Sequence, residues 1–391
     1  MEREELRTWL RLVLTPRVGP GSARKLLAAL GSPQAVFAAD EAALAALVSK
    51  RERTALGKEP EGLDEQVDAT LAWLAQSPQL ASGRMVRRLL SLADPAYPPM
   101  LLQAADPPLL LFAQGRLELL TRPAVAVVGS RHPSPQGRDN AYAFAKAMSQ
   151  AGVTVVSGLA LGVDGAAHTG ALDGGLGSTI AVVGTGLDLV YPKAHQALAH
   201  RLGEQGLMLS EFALGTPPLT TNFPKRNRIV AALSRGTLVV EAAVQSGSLI
   251  TARLAAEMGR EVLAIPGSIH SPHARGCHAL IKQGAKLVET AQDVLEELRL
   301  EGVPLGTPLP AGADERHADA GADAGADADA TTPAHEDPIL AAMGYDPVSQ
   351  DALSARTGWG AADLGARLLE LELMGQVARL PGQLFQRVAS A

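Results

Sequence analysis

Apolar runs of strand length recur through the middle of the chain, at 124–128, 153–156, 179–183, 207–209, 238–240 and 262–265. Helix-like stretches alternate with them, beginning near Gln136, Asp164, His195, Lys225 and Ser248. Runs that are apolar throughout predict strands buried on both faces. Their regular alternation with helices predicts right-handed crossovers and an α/β fold with a doubly wound, mainly parallel sheet.

The pattern differs on either side of this region. Up to about residue 92 it is mostly helical, and Val18-Gly19-Pro20-Gly21-Ser22-Ala23 suggests a helix-hairpin-helix or SAM-like turn. Such a turn can present amides to a phosphate, or simply pack two helices. Tyr97-Pro98-Pro99 and Asp106-Pro107-Pro108 predict a rigid connection into the sheet. Residues 302–333 are almost entirely Ala, Asp, Gly, Pro and Thr, a composition too poor in apolar surface to offset chain entropy, which predicts a disordered linker. Beyond it, 348–357 reads as a helix, Gly358-Trp359-Gly360 as a turn, 361–374 as a second helix and 377–388 as a glycine-turned ribbon. That is the order of a winged helix. Its second helix offers only Arg367 beside Asp363, Glu370 and Glu372, which favours protein contact or regulation over reading DNA bases. The expected units are 1–92, 93–300, the linker 301–337 and 338–391.

Composition sharpens this division. The 391 residues carry a formal charge of −6, but residues 314–337 alone contribute −7, leaving the rest of the chain at +1. The acidity therefore belongs to the linker, and the folded body is free to bind a polyanion. No apolar run is long enough to span a bilayer, and Met1 to Arg7 leads into no signal-peptide core, so a cytoplasmic protein is expected. Cys277 is the only cysteine, which excludes an intrachain disulfide and a multi-cysteine metal site.

In a doubly wound sheet ligands sit beyond the carboxyl ends of the strands. Those ends read Gly129-Ser130-Arg131, Ser157-Gly158, Gly184-Thr185-Gly186 and Glu241. Glycines there allow close backbone approach, and the following helix starts attract anions. Neither Gly-x-Gly-x-x-Gly nor Gly-x-x-x-x-Gly-Lys-Ser/Thr is present, which disfavours tight NAD or ATP binding. Phe223-Pro224-Lys225-Arg226-Asn227-Arg228 adds three cations and a ring just ahead of an apolar run. It reads either as a solvated helix start or as a contact for single-stranded nucleic acid. Asp164 and His168 could form an acid/base couple or two metal ligands, although Asp at a helix start is a common cap.

These blocks, together with Gly158-Leu159-Ala160-Leu161-Gly162-Val163-Asp164-Gly165, Tyr191-Pro192-Lys193 and Gln245-Ser246-Gly247-Ser248-Leu249-Ile250-Thr251-Ala252, resemble the DNA-processing protein A (DprA, Smf) family. The resemblance implies an extended Rossmann-like core without catalytic activity or cofactor. The implied protein binds incoming single-stranded DNA in natural transformation, protects it and loads the RecA recombinase. Carried over, Gly129, Ser130, Arg131, Ser157, Gly158 and Lys193 line the phosphate-binding edge, Phe223 lies against a base, and Lys225, Arg226, Asn227 and Arg228 follow the backbone. The family dimerises through a region matching His278, Leu280, Ile281 and Leu287. The alternative is a nucleotide-binding enzyme related to lysine-decarboxylase-like phosphoribohydrolases, to which Gly236-Thr237 and Glu241 are similar.

Overall fold

The computed structural model describes residues 2–76, 79–80, 83–84, 86–300 and 337–388. Short helices come first: α1 (Arg3–Leu14), α2 (Pro20–Leu30), α3 (Pro33–Ala38), α4 (Glu41–Leu47), α5 (Lys50–Leu56) and α6 (Leu63–Ala75). A small hairpin, β1 (Gln79–Leu80) and β2 (Gly83–Arg84), leads to β3 (Val86–Ser91), α7 (Pro99–Leu102) and β4 (Leu110–Gly115). The alternating core then runs β5 (Ala124–Val128), α8 (Pro135–Gln150), β6 (Thr154–Ser157), α9 (Val163–Gly174), β7 (Thr179–Val182), α10 (Gln196–Gln205) and β8 (Leu207–Ser210). It continues through α11 (Asn222–Ala232), β9 (Gly236–Val239), α12 (Ser248–Glu257), β10 (Glu261–Ala264), α13 (Arg275–Lys282), β11 (Lys286–Leu287) and α14 (Ala291–Glu297). The C-terminal module comprises α15 (Pro338–Met343), β12 (Val348–Ser349), α16 (Gln350–Thr357), α17 (Ala361–Leu373), β13 (Val377–Leu380) and β14 (Leu384–Arg387), the expected winged helix.

Nine strands form one sheet in the order β11-β10-β9-β5-β6-β7-β8-β4-β3. It is parallel from β11 to β8, while β4 runs antiparallel to β8, and β3 antiparallel to β4. All six expected strands are present. The strand period of two separates β5 cleanly: Val125 and Val127 pack under α8 and α9, while Ala126 and Val128 join the core beneath α11 and α12. The antiparallel pair β3 and β4 was not foreseen. Its first strand contains two adjacent arginines, Arg87 and Arg88, and its second follows Pro107-Pro108, which reads as connection. The sheet thus starts at Val86, ahead of the boundary expected at 92. The linker lies outside the described residues apart from Asp337, which caps α15 by accepting from the Ile339 N–H at 2.8 Å and so belongs to the winged helix. Among the described residues no helix is long and apolar enough to cross a membrane.

The N-terminal helices are not a separate bead. Trp9, Leu26 and Trp73 share one buried cluster with Leu89, Phe112 and Met208 of the sheet. Trp73 meets Phe112 edge-on at 5.9 Å between ring centroids, and the Arg87 guanidinium lies over the indole at 5.2 Å. Phe112→Ala should therefore cost about 3–5 kcal/mol through the cavity left behind. Urea unfolding followed by tryptophan fluorescence checks this, with a midpoint well below that of the native chain expected.

Candidate nucleic-acid interface

The strand order reverses between β9 and β5, and this is where doubly wound sheets ordinarily hold a ligand. Here the crevice contains an internal anion. Glu241 accepts from the Ser134 N–H at 2.8 Å and from the Ser134 hydroxyl at 2.5 Å, while Ser134 Oγ accepts from the Gly137 N–H at 3.0 Å. A Cβ on Gly137 would fall 2.4 Å from the carboxylate, so the first turn of α8 closes directly over it. The anion-receptive start of α8 is thereby satisfied from within. Tyr345 and Asp346 of the winged helix line the same crevice, and Arg356 pairs with Asp139 of α8 at 2.9 Å.

The candidate groove is the strand-end surface that carries Arg131, which follows β5. Arg131 is exposed, and its guanidinium stands 5.6 Å from the centroid of the Phe223 ring. Phe223 is half-buried against Gly184 and Tyr191, the latter at 5.7 Å between centroids. Lys193 and Lys225 are exposed, and like Arg131 have no ion-pair partner among the described residues. Ser130 is held by its backbone, donating to Glu241 O at 2.8 Å and accepting from Val163 N–H at 3.1 Å. Arg131 and Phe223 are thus brought together, with Ser130 next to the one and Lys225 two residues beyond the other, while Lys193 follows Tyr191 by two residues. Tyr191 joins them as a second ring; its place beside Lys193 was legible, its packing on Phe223 was not.

The floor of the groove corrects part of that expectation. Arg226 is only 5 % exposed, and a Cβ on Gly158 would sit 1.4 Å from its Nη1. No side chain but hydrogen fits there. Asp164, on α9, faces the same buried space, accepting from the Gly158 N–H at 3.1 Å and the Ala160 N–H at 3.3 Å. Burial raises the Asp164 pKa, against the pull of Arg226 and of these amides, while burial acts on Arg226 to lower its own. Ser157 is fully buried, its hydroxyl donating to Val127 O at 2.6 Å. Arg226, Gly158 and Ser157 are therefore buried, unlike the exposed Arg131, Lys193 and Lys225.

Arg228 also departs from its expected place along a DNA backbone. It is 14 % exposed, with Nη2 paired to Glu211, Nε to Asp106 at 3.2 Å, and Nη1 donating to Asp106 O at 2.6 Å. Asp106 in turn pairs with Arg24 of α2, so this network ties α11 to the N-terminal helices. Asn227, between the two arginines, is half-buried. Helical geometry explains the division: at 3.6 residues per turn, positions 225, 226 and 228 point in three directions. Elsewhere, His278 bonds Gly267 O at 3.0 Å, Leu280 and Ile281 half-cover the core, and Leu287 on edge strand β11 is 44 % exposed. Arg367 of the winged helix is engaged by Asp337 and Glu370, both at 2.5 Å.

Asp164 and His168 do not form a couple. His168 is completely buried, with Nε2 accepting from the Leu159 N–H at 3.3 Å and Nδ1 bonded to the Thr179 hydroxyl at 2.8 Å. Since Thr179 gives its own proton to Val155 O at 2.6 Å, His168 carries its hydrogen on Nδ1. Its role is to hold Leu159 in a left-handed conformation, φ 60°. Among the described residues no group of three His, Cys, Asp or Glu side chains could hold a metal ion.

Fold and site define a Rossmann-like α/β protein with a cationic groove at its strand ends, flanked by a helical unit and a winged helix. Residues 88–299 match the model of the DNA recombination-mediator protein A family, and 323–383 that of the DprA winged helix domain. The chain is 41 % identical over 322 residues to protein Smf of Escherichia coli, covering 81 % of this chain and 80 % of that protein. The X-ray structure of DNA processing protein A from Streptococcus pneumoniae superposes with a TM-score of 0.59 at 38 % identity, covering 76 % of this chain and 98 % of that one. The Helicobacter pylori protein, described for its single-stranded DNA binding mode, superposes at 0.50 with 30 % identity, over 55 % and 97 % of the two chains. The chain belongs to the DNA-processing protein A family.

Burial pushes the His168 pKa down to about 3, and His195 and Arg226 act in the same direction. The unfolded chain takes up this proton near the ordinary value of 6.5 and the folded chain refuses it. The contribution is therefore complete above pH 6.5 and is lost toward pH 3, at up to about 1.4 kcal/mol per pH unit. His168→Asn should be less stable at pH 7 yet lose this part of the pH slope. Urea unfolding across this acidic range tests it; an undiminished slope in the variant would assign the proton to another group.

Proposed function

We propose that the chain is a cytoplasmic, non-catalytic single-stranded DNA-binding protein that protects incoming DNA in natural transformation and loads RecA onto it. One observation carries the reading: the exposed Arg131 guanidinium stands 5.6 Å from the half-buried Phe223 ring, which packs on Tyr191, and two further exposed cations without an ion pair among the described residues, Lys193 and Lys225, follow Tyr191 and Phe223 by two residues each. Sequence-independent strand binding needs a cationic track and a stacking platform, and both are in this groove. The single-stranded DNA binding mode described for the Helicobacter pylori relative supports it, and the family's description as a recombination mediator supports the RecA step. The nucleotide-cleaving alternative is disfavoured because Glu241, its counterpart of a catalytic acid, is spent on Ser134 inside the crevice.

The homodimer is assigned to the β11 edge and α13. An exposed strand edge invites pairing, Leu287 on that edge is 44 % exposed, and exposed Ile269 (75 %) and Val244 lie on loops that reach α13 through Gly267 and Gly276.

Fluorescence anisotropy with labelled oligonucleotides across salt concentrations tests the groove. Arg131→Glu and Lys225→Glu should each weaken binding at least tenfold at low salt and flatten the log–log salt slope by about 0.7 per lost phosphate contact. Phe223→Ala should cost about 1–3 kcal/mol with the slope retained. Unchanged affinity in Arg131→Glu would remove the groove assignment, and base release from nucleoside monophosphates would favour the enzyme. For the interface, Ile281→Arg should run as a monomer in size exclusion with light scattering; a persistent dimer would move the interface elsewhere.

A further inference from the structure

A second concave, cationic surface lies outside the groove, on the N-terminal helices. Between the α1–α2 turn and the end of α5 there is a cavity of about 460 Å³ walled in part by Arg17, Arg51 and Lys58. All three are exposed, and none of their side chains has a hydrogen-bond or ion-pair partner among the described residues. Arg3, Arg7, Arg24 and Arg53 of the same unit each hold a carboxylate instead. Of the two acidic residues on the wall, Glu59 is already engaged by Arg7 and Arg11, leaving Glu61 alone against three free cations. The wall contains no aromatic ring. Its chemistry suits a chain of phosphates and offers nothing on which a base could stack.

Its location connects it with the groove. The α1–α2 turn runs straight into α2, and Arg24 on α2 pairs with the same Asp106 that holds Arg228 of α11. At 1.5 Å per residue, Arg24 stands only about 6 Å along the helix from its start. The shared Asp106 thus ties α2, which follows the turn lining the cavity, to α11, the helix that carries Phe223 and Lys225.

We propose that the Arg17, Arg51 and Lys58 cavity is a second DNA site, gripping the phosphate backbone of a strand that extends beyond the groove. The proposal rests on the groove reading, and the two are separable by oligonucleotide length. A strand of about 6 nucleotides fits within one site, whereas one of about 30 exceeds it. In the full-length chain, Arg17→Glu, Arg51→Glu and Lys58→Glu combined should leave affinity for the short strand within twofold. Affinity for the long strand should fall at least tenfold at low salt, with the salt slope reduced by about 2. The corresponding triple alanine variant should show a smaller loss in the same direction, and circular dichroism should match the native chain in both. Unchanged long-strand binding, or equal loss for both lengths, would overturn the proposal. Failure of the native chain to bind the short strand while still binding the long one, with the variant losing the latter, would overturn the groove alone; binding of neither strand would overturn both.

Discussion

The groove depends on a buried charge. Arg226 lies under the turn after β6, against Gly158 and near Asp164, with almost no access to solvent. A guanidinium does not give up its proton, so the charge must be met where it is, by the Asp164 carboxylate and the surrounding dipoles. No ion pair within 4 Å joins the two among the described residues, so Asp164 acts on Arg226 through its field rather than by contact. The same Asp164 receives the Gly158 and Ala160 amides, and His168 receives the next one, from Leu159. The turn that forms the floor is thus shaped by two ionisable groups that a chemical reading would assign to catalysis. They serve the backbone instead.

Glu241 shows the same economy at the neighbouring strand ends. The Rossmann-like sheet brings a helix start to the point where the strand order reverses, a place made for a phosphate. The chain fills it with its own carboxylate on Ser134 and presses Gly137 against that carboxylate. An anion-binding fold is in this way directed away from mononucleotides. Arg131, exposed and without an ion pair among the described residues, stands over the Phe223 ring instead, and Lys193 and Lys225 are exposed nearby in sequence to Tyr191 and Phe223. Arg228 and Arg24, which share Asp106, instead spend their charge joining the helical unit to α11.

Much of the fold was legible because the signals are local. Strands such as β5, buried on both faces, must be apolar throughout, and the winged helix announces its turns with Gly358, Gly360 and Gly382. The antiparallel pair β3 and β4 was not legible, since Arg87 and Arg88 break the pattern and are accommodated by Trp73, Gln76, Gln114 and Asp94. The site was legible as a set of motifs. Its inner and outer members were not.

Sequence alone determined the order of units, the parallel core, the segregation of acidity into residues 314–337 and the concentration of cations after Phe223. These are properties of composition and period, and no long-range contact is needed to read them. Only the tertiary structure decided which cations are free. Three arginines and lysines within four residues have the same charge on paper, but a helix turns them to solvent, to a buried aspartate and to an ion-pair network. Exposure is set by what packs opposite each direction, and for Arg226 and Arg228 those partners come from Gly158, Asp164, Asp106 and Glu211, far away along the chain. The hexapeptide is therefore one wall of a groove at Phe223 and Lys225, and part of the scaffold at Arg226 and Arg228.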